Sequence, residues 1–324
     1  MKKLIIEVAL NETVTRLENQ HVPLTPEEIA EDAYACFREG ATIVHFHNRN
    51  AGLAPSVLDT ALNGSAEHYA ETIRLIRQRC DVIPYPTYTY PGTKEREAAD
   101  LELHPHVRAL REMPDIGLET FVLTVGATNM GRYDRRKGSF VGDAVSSMTH
   151  TAMAEYLDWC RRSGLKLQFM VREPGHMRHL AMYYDLGLVE PPVVVHLNFA
   201  DAQPWGPSPT AKGILSLVEA LPSHIPCEWF AHNYTTYFPD PEVEDSHRLL
   251  NVLAVGMGGH ARTGIGDKPV WDGRQLTNAQ MVAQVRAVAE ATGREIATTE
   301  EARAMLGFRP PEQADIIRLT ETVA

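Results

Sequence analysis

The chain has 324 residues, a length that fits either two ordinary domains or one large α/β barrel. Hydrophobic residues make up 44% and charged residues 23%, which is typical of a soluble globular protein and argues against disorder. The net charge of -11, with scattered lysines and arginines, argues against a nucleic-acid partner, which needs a basic patch. No apolar stretch reaches the roughly 20 residues of a membrane span, so no membrane partner is expected.

The cysteines and the N-terminal residues bear on the compartment. The four cysteines show no CxxC spacing, and those within helical patterns are expected to be small buried hydrophobic residues. The opening MKKLIIEVAL has a glutamate inside its apolar run and no small-residue cleavage site after it, so it predicts a strand rather than a signal peptide. A cytoplasmic protein is therefore expected.

Short β-branched runs alternate with amphipathic helical patterns, which is typical of repeated βα units. In chain order the first half predicts strand 4–10, helix 25–40, strand 42–48, helix 65–80, strand 81–89 and strand 118–126. The second half predicts helix 152–164, strand 165–173, helix 176–187, strand 191–200, helix 210–222, strand 227–235, helix 243–258, strand 259–267, helix 278–293 and a final helix 298–308. Thr25 and Glu28 form a capping box for the first helix, and Gly40 ends it.

Eight βα units with one extra C-terminal helix predict a (β/α)8 TIM barrel, organised as a single catalytic domain over residues 1–324. The competing fold is a doubly wound parallel sheet, which would carry a glycine-rich phosphate loop after its first strand. The segment ALNETVTR that follows strand one contains no such loop. We therefore favour the barrel.

In a barrel of this kind the active site lies at the C-terminal ends of the strands. Polar side chains at or just after those ends are the candidates for function. They are Glu12, His45, His47, Thr87, Thr124, Glu173, His196, Asn198, His232, Asn233, Arg262 and Asp267.

Two histidines end the second strand. His45 and His47 are two residues apart, so they face the same side of the strand while Phe46 faces the other. Two imidazoles delivered together indicate a divalent metal, and zinc is favoured because imidazole is one of its preferred ligands. The alternative is two histidines that make unrelated hydrogen bonds.

Arg262 and Asp267 lie in the glycine-rich segment GMGGHARTGIGD. One interpretation is an ion pair in which the arginine holds the carboxylate and anchors an anionic substrate, while the aspartate takes up a proton. The other is a structural salt bridge that closes the barrel. The glycines favour the first interpretation, because they allow the backbone to approach a ligand closely.

The other candidates carry less weight individually. Glu12 could be a loop cap, and Thr87 and Thr124 could be ordinary strand threonines. His196 and His232 are, taken singly, more typical of histidines whose hydrogen bonds are satisfied inside a core than of metal ligands.

Four segments carry a resemblance to a known family. They are PLTPEEIAEDAYACFREGATIVHFHNRN, GGHARTGIGD, LTNAQMVAQV and GREIATTEEARAMLGF. Together they make the chain similar to the β-keto acid cleavage enzymes over most of its length. The resemblance implies a zinc-dependent barrel that converts a β-keto acid and acetyl-CoA into acetoacetate and a new CoA thioester. It also implies a homo-oligomer, specifically a tetramer.

The resemblance also implies roles for single residues. His45 and His47 match the family's metal histidines, and Arg262 and Asp267 match its catalytic pair, with Asp267 as the base polarised by Arg262. Glu12 matches the family's catalytic glutamate on strand one. Thr87 falls where the family has a serine, and it is expected, with Thr124, to bind substrate.

One position departs from the family. The residue before the catalytic aspartate is usually a metal-binding glutamate, whereas here it is Gly266. The third protein ligand is then either lost or supplied from another strand, with His232, Glu12 and His196 as candidates.

Two other functions compete with this one. A metal-dependent hydrolase of the amidohydrolase kind also uses an HxH pair and a late aspartate, but there the HxH pair belongs to the first strand. A metabolite-binding barrel that has lost activity with its metal ligand is the non-enzymatic alternative.

Overall fold

The computed structural model of the chain describes residues 2–48, 65–87, 104–134, 136–234 and 246–310. Its strands are β1 (Ile6–Ala9), β2 (Ile43–Phe46), β3 (Ile83–Pro86), β4 (Thr120–Thr124), β5 (Ala127–Asp134), β6 (Ser139–Ser147), β7 (Lys166–Val171), β8 (Val193–Ala200), β9 (Cys227–Tyr234) and β10 (His260–Thr263). Its helices are α1 (Pro26–Glu39), α2 (Ala66–Arg77), α3 (Pro105–Glu112), α4 (His150–Ser163), α5 (Pro174–Asp185), α6 (Ala211–Glu219), α7 (His247–Gly256), α8 (Asn278–Ala291) and α9 (Thr299–Leu306).

Eight strands form one parallel sheet in the order β3–β2–β1–β10–β9–β8–β7–β4. The first and last of these strands in the chain, β1 and β10, are neighbours, with Glu7 opposite Arg262. The sheet therefore curls into a nearly closed barrel with helices between its strands. The predicted (β/α)8 TIM-barrel fold is confirmed.

Local sequence signals set the helix ends. The Thr25 side chain accepts a hydrogen bond from the Glu28 backbone at 3.2 Å, and the Glu28 carboxylate accepts one from the Thr25 backbone at 3.2 Å. The predicted capping box is thus confirmed, and Gly40 ends α1 in the left-handed region with φ 109°. Helices α8 and α9 begin with capping boxes of the same kind.

One helix and one two-stranded hairpin were not predicted. Helix α3 starts with Pro105 after His104, and no side chain caps its first turn, so its sequence lacks the N-cap signal of the other helices that begin with Ser or Thr. Strands β5 and β6 form an antiparallel hairpin between β4 and α4. The register of the hairpin shifts between Met130 and Arg132, next to Gly131 at φ 141°, and this irregularity hides the alternation that would predict a strand.

Several predicted boundaries were also wrong. Strand β7 ends at Val171, so Glu173 is the residue that precedes α5 rather than a strand residue. Strand β10 ends at Thr263, which places Asp267 in the following turn. Residues 88–89 of the predicted third strand and 243–245 of a predicted helix lie outside the described residues.

The main hydrophobic core lies where the helices pack on the barrel. It includes Cys36 and Cys160, which are buried as expected for cysteines in helices. A second cluster joins the loop after β1 to the loop after β10, and consists of Val14, Val22, Leu24, Ile265, Trp271 and Met281. Of the helices that the structure describes, none has both the length and the apolar composition that crossing a lipid bilayer requires.

Candidate active site

Glu12 follows β1 and turns back over the end of the barrel. Its φ of 41° lies in the left-handed region, which residues other than glycine rarely adopt. The preceding Asn11 holds this turn in place, because its amide donates to Pro23 O at 3.1 Å and to His47 O at 2.9 Å. Asn11 Oδ1 also accepts from His47 N at 2.8 Å, so the ends of β1 and β2 are fixed against one another.

His45 and His47 bring their rings to the Glu12 carboxylate. His45 Nε2 lies 3.1 Å from Glu12 Oε1, and His47 Nε2 lies 2.7 Å from Glu12 Oε2. All three side chains are at least 96% buried. Tyr85, on β3, stacks on His45 with ring centroids 4.6 Å apart and fixes the plane of that imidazole.

Arg262 lies beside this group and uses all five of its N–H donors. Two of them bind Asp267 as a fork, Nε to Oδ2 at 2.9 Å and Nη2 to Oδ1 at 2.9 Å. Nη2 also donates to Glu12 at 2.6 Å, and Nη1 donates to Glu7 at 3.0 Å and to the Tyr85 hydroxyl at 3.2 Å. One guanidinium therefore joins Glu12, and through it the two histidines, to Asp267.

The surroundings of the site lower the pKa of Glu12 and raise the pKa of Asp267. Burial would raise the pKa of Glu12, but His47 and His45 outweigh it and hold that pKa well below its ordinary value. Burial raises the pKa of Asp267, although the Arg262 guanidinium opposes the shift. Burial lowers the pKa of His45 despite the nearby Glu12, and this shift favours the neutral imidazole that a metal ion binds.

The turn that carries Asp267 depends on two glycines. Gly264 has φ 132°, and a Cβ there would collide with the Ala9 carbonyl oxygen. Gly266 donates its N–H to Ala9 O at 2.9 Å, and a Cβ there would lie 2.6 Å from Glu12 Cγ. The absence of a side chain at position 266 thus leaves the space that the Glu12 side chain fills.

The residues present fit a divalent metal. Glu12, His45 and His47 place one ligand atom each within 4.8 Å of one another, and a carboxylate with two imidazoles is a donor set that Zn²⁺ accepts. His47 Nε2 makes no aligned hydrogen bond despite its short distance to Glu12. Glu7, Glu12 and Asp267 share a single guanidinium, so in their ionised forms they leave two negative charges that a dication would balance.

The other two candidates for a third ligand are not part of this cluster. His196 Nε2 is 2.7 Å from Gln168 Oε1 and 3.6 Å from Glu7 Oε2, deeper in the barrel. His232 lies on β9, with its ring centroid 5.6 Å from that of His196. Among the described residues, Glu12 is the group that joins His45, on β2, to His47, which directly follows that strand.

The remaining candidates are dispersed. Thr124 is the last residue of β4 and Thr87 directly follows β3, and both are buried at the C-terminal end of the barrel. Asn233 points away from the interior and donates to Asp201. Glu173 precedes α5 and is half-buried.

Sequence reasoning missed Glu7 as a residue of the site. Glu7 is fully buried, accepts hydrogen bonds from the Tyr85 hydroxyl at 2.6 Å and from Arg262, and sits in an otherwise apolar strand. A single carboxylate inside an apolar run was the available signal, because a buried charge requires a partner. A carboxylate at this position indicates that strand one takes part in an ion pair inside the barrel.

The sequence profile that describes the beta-keto acid cleavage enzymes matches residues 3–308. The chain belongs to this family. Among its relatives are the 3-keto-5-aminohexanoate cleavage enzyme of Fusobacterium nucleatum subsp. nucleatum, 28% identical over 95% of this chain and 99% of that protein. Another is the 3,5-dioxohexanoate:acetyl-CoA acetone transferase of Paraburkholderia graminis, 26% identical over 95% of this chain and 96% of that protein.

Solved structures agree on the architecture of this β-keto acid cleavage family member. The ternary complex of ObcA with a C4-CoA adduct and oxalate has a TM-score of 0.67 at 20% identity, over 89% of this chain and 67% of that one. A type I 3-dehydroquinate dehydratase from Clostridium difficile has a TM-score of 0.51 at 9% identity, over 90% and 93% of the two chains. At these identities the likeness shows the fold alone.

Proposed function

We propose that this chain is a metal-dependent β-keto acid cleavage enzyme that uses acetyl-CoA as its second substrate. The observation that carries the proposal is the arrangement of Glu12, His45 and His47 beside the Arg262–Asp267 pair, in a chain of this family. The printed names of several relatives, which include acetyl-CoA transferases acting on 3,5-dioxohexanoate and 3-dehydrocarnitine, support the choice of acetyl-CoA.

Glu12, His45 and His47 are the residues that would hold the metal, and Zn²⁺ suits their chemistry. Bound there, the ion would supply Lewis-acid stabilisation of the negative charge that develops when a β-keto acid loses a proton. Glu12 thereby takes the role of a ligand as well as a partner of Arg262.

Asp267 is the base. Its carboxylate would accept a proton from carbon 2 of the β-keto acid, the carbon between the keto and carboxylate groups. The raised pKa of Asp267 brings its proton affinity closer to neutrality, which favours general base catalysis. Arg262 positions both oxygens of Asp267 through its fork and keeps the carboxylate from turning away.

The bonds of the overall reaction balance as follows. Carbon 2 forms a bond to the carbonyl carbon of the acetyl group of acetyl-CoA, and the CoA thiolate leaves from that carbon. The thiolate then attacks the original keto carbon, and the bond between that carbon and carbon 2 breaks. Carbon 2 keeps the electron pair and takes the proton back from Asp267, which gives acetoacetate and a new CoA thioester.

The proposal is tested by incubating the zinc-loaded protein with a panel of β-keto acids and acetyl-CoA, and measuring acetoacetate. We expect acetoacetate with at least one member of the panel, and none without acetyl-CoA. Hydrolysis of a substrate without any CoA requirement would support the amidohydrolase-like alternative. Tight keto-acid binding with no turnover and no zinc by elemental analysis would support a binding protein.

We also propose that the protein acts in the cytoplasm, as one catalytic domain of residues 1–324 in each subunit of a homotetramer. Its partners in this proposal are a β-keto acid and acetyl-CoA, and neither nucleic acid nor a membrane. Light scattering coupled to size exclusion tests the tetramer, which has four times the 36.1 kDa mass of the chain. A monomeric mass would contradict it.

A further inference from the structure

Asn198 and His232 lie side by side in the barrel and have no part in the mechanism above. Asn198 belongs to β8 and His232 to β9, and the two residues are opposite one another in the register of these parallel strands. Their exposed fractions are 0% and 1%. Two polar side chains at adjacent strand ends are therefore buried together.

Both side chains face the interior of the barrel. His196, two residues before Asn198, reaches Gln168 on β7 and approaches Glu7 on β1, so this face of β8 points inward. Phe230, two residues before His232, stacks on the His196 ring at 4.7 Å and fixes the inner face of β9 in the same way.

None of the four polar atoms of this pair has a hydrogen-bond partner among the residues that the structure describes. They are Asn198 Oδ1 and Nδ2 and His232 Nδ1 and Nε2. A buried donor or acceptor without a partner costs about 1–3 kcal/mol, so two complete side chains in this state, side by side, indicate a ligand that supplies the partners. By contrast, the nearby Arg262 has every donor engaged.

The pair is close to the proposed reaction site and carries no charge. The Tyr234 ring lies 5.0 Å from the His232 ring and 5.8 Å from the guanidinium carbon of Arg262, so one aromatic side chain contacts both His232 and the arginine that holds Glu12 and Asp267. Burial, followed by the Arg262 charge, lowers the pKa of His232 well below its ordinary value, so the ring is neutral and offers one donor and one acceptor. The Asn198 amide adds two donors and one acceptor.

We propose that Asn198 and His232 bind the side arm of the β-keto acid through a neutral group that both donates and accepts hydrogen bonds, such as a hydroxyl. The inference rests on the proposed function, which makes a β-keto acid the ligand. Arg262 is not available to bind a carboxylate arm, since its donors are already engaged. An alkyl arm would leave the four polar atoms without partners.

The test is calorimetric binding of two matched ligands to the zinc-loaded protein without acetyl-CoA, so that no turnover is needed. The ligands are 3-oxohexanoate and 5-hydroxy-3-oxohexanoate, with 3-oxoadipate as the charged comparison. We expect the hydroxylated acid to bind about 10-fold more tightly than either of the others, because a site built for a hydroxyl discriminates against analogues that lack it.

Variants locate the effect. Asn198→Leu and His232→Phe are each expected to weaken the hydroxylated acid alone and bring the two dissociation constants within about 3-fold. The milder Asn198→Ala variant serves if the larger changes disturb folding. The matched control is Asn251→Leu. The side-chain amide of Asn251 is also buried and has no hydrogen-bond partner among the described residues, but Asn251 lies on α7, outside the barrel interior. Its ratio should equal that of the wild type.

Equal wild-type binding of the alkyl and hydroxylated acids, tighter binding of the charged acid, or an unchanged ratio in both variants would overturn the inference. These outcomes are separate from failure of the proposed function. Selective binding with no acetoacetate from any β-keto acid would contradict the enzymatic proposal while supporting the role of Asn198 and His232. Turnover without selectivity would do the opposite.

Discussion

The Glu12 side chain occupies the space that a side chain at position 266 would fill. A side chain at position 266 would start 2.6 Å from Glu12 Cγ, so the present position of the Glu12 carboxylate depends on the glycine. The family resemblance indicates a glutamate ligand at position 266 in other members. In this chain a carboxylate reaches the two histidines from strand one instead.

We predict that the two positions can exchange the carboxylate. Glu12→Gln should weaken zinc binding by more than about 100-fold, because loss even of a group that only supports a metal ligand costs roughly 10–100-fold. The double variant Glu12→Ala/Gly266→Glu should recover affinity to within about 10-fold of the wild type. Competition with a chromophoric chelator measures both.

Two further variants control this prediction. Gly266→Ala alone should weaken zinc binding, because its methyl group displaces the Glu12 side chain. Glu27→Gln, which changes an exposed carboxylate on α1, should leave the affinity unchanged. Wild-type zinc affinity in Glu12→Gln would show that Glu12 is not a ligand.

Asp267 and Arg262 allow proton transfer to be separated from metal binding. Asp267→Asn keeps an acceptor for the guanidinium but cannot take a proton, so kcat should fall by about 100- to 10,000-fold. Zinc affinity should change by less than about 3-fold, since Asp267 is outside the ligand set. Near wild-type kcat in a fully metallated Asp267→Asn protein would exclude the aspartate as the base.

At the scale of elements, one asparagine joins helix α8 to the ends of two strands. Asn278 donates to Leu10 O at 2.9 Å after β1 and accepts from Ile265 N at 2.6 Å in the turn after β10. Its second amide hydrogen goes to Asp32 on α1 at 2.5 Å. This contact holds the turn of Asp267 against the loop of Glu12, and it introduces a half-buried carboxyl group into the scaffold.

The carboxyl of Asp32 makes stability depend on pH. Burial raises its pKa from 3.8 to about 7, and the Asn278 hydrogen bond only partly opposes the shift. The folded state therefore prefers the protonated form, so this contribution is complete below about pH 4 and is lost as the pH rises towards 7. A pKa change of this size corresponds to at most about 4 kcal/mol.

We predict that Asp32→Asn removes this loss. Because Asp32 is only half-buried, the variant should be more stable than the wild type by about 1–2 kcal/mol at pH 8, with the difference vanishing near pH 4. Urea unfolding across this pH range measures it. Glu31→Gln, an exposed change on the same helix, is the control. A difference that does not vary with pH would contradict the prediction.

The order and type of the barrel elements were predictable because each strand and helix carries its own periodicity and caps. Hairpin β5–β6 and helix α3 were not, since one is interrupted by an irregular register and the other begins without a capping side chain. Two strands were predicted to extend too far, to positions 173 and 267, whereas they end at Val171 and Thr263. A polar residue after a strand has no periodic signal to show where pairing stops.

For the site, the sequence identified His45, His47, Arg262 and Asp267 as candidates because their types and spacings are informative alone. It left three candidates for the third ligand. Only the folded chain shows that Glu12 meets both histidines, because this depends on a left-handed backbone at Glu12 and on space above Gly266. The role of Glu7 also depends on a partner that is distant in sequence.

On the scale of the whole molecule, the barrel interior concentrates negative charge at one end. We predict that zinc stabilises the fold measurably, because the carboxyl groups of Glu7, Glu12 and Asp267 share one guanidinium. At a free zinc concentration of about 100 times Kd the gain is about 2.7 kcal/mol, or roughly 4 °C in Tm for a chain of this size. Differential scanning fluorimetry with zinc and with a chelator measures the gain.

The Glu12→Gln variant provides the control for this shift. Its Tm should be nearly independent of zinc over the same concentrations, because its ligand set is incomplete. An equal zinc-dependent rise in the variant would place the stabilising ion elsewhere on the protein.

The central claim is that this barrel joins the acetyl group of acetyl-CoA to a fragment of a β-keto acid. It is tested most directly with acetyl-CoA labelled with ¹³C in both acetyl carbons, followed by mass spectrometry of the products. Acetoacetate labelled at carbons 3 and 4, with an unlabelled new CoA thioester, is the predicted result. Unlabelled acetoacetate, or cleavage products formed at the same rate without acetyl-CoA, would contradict the account.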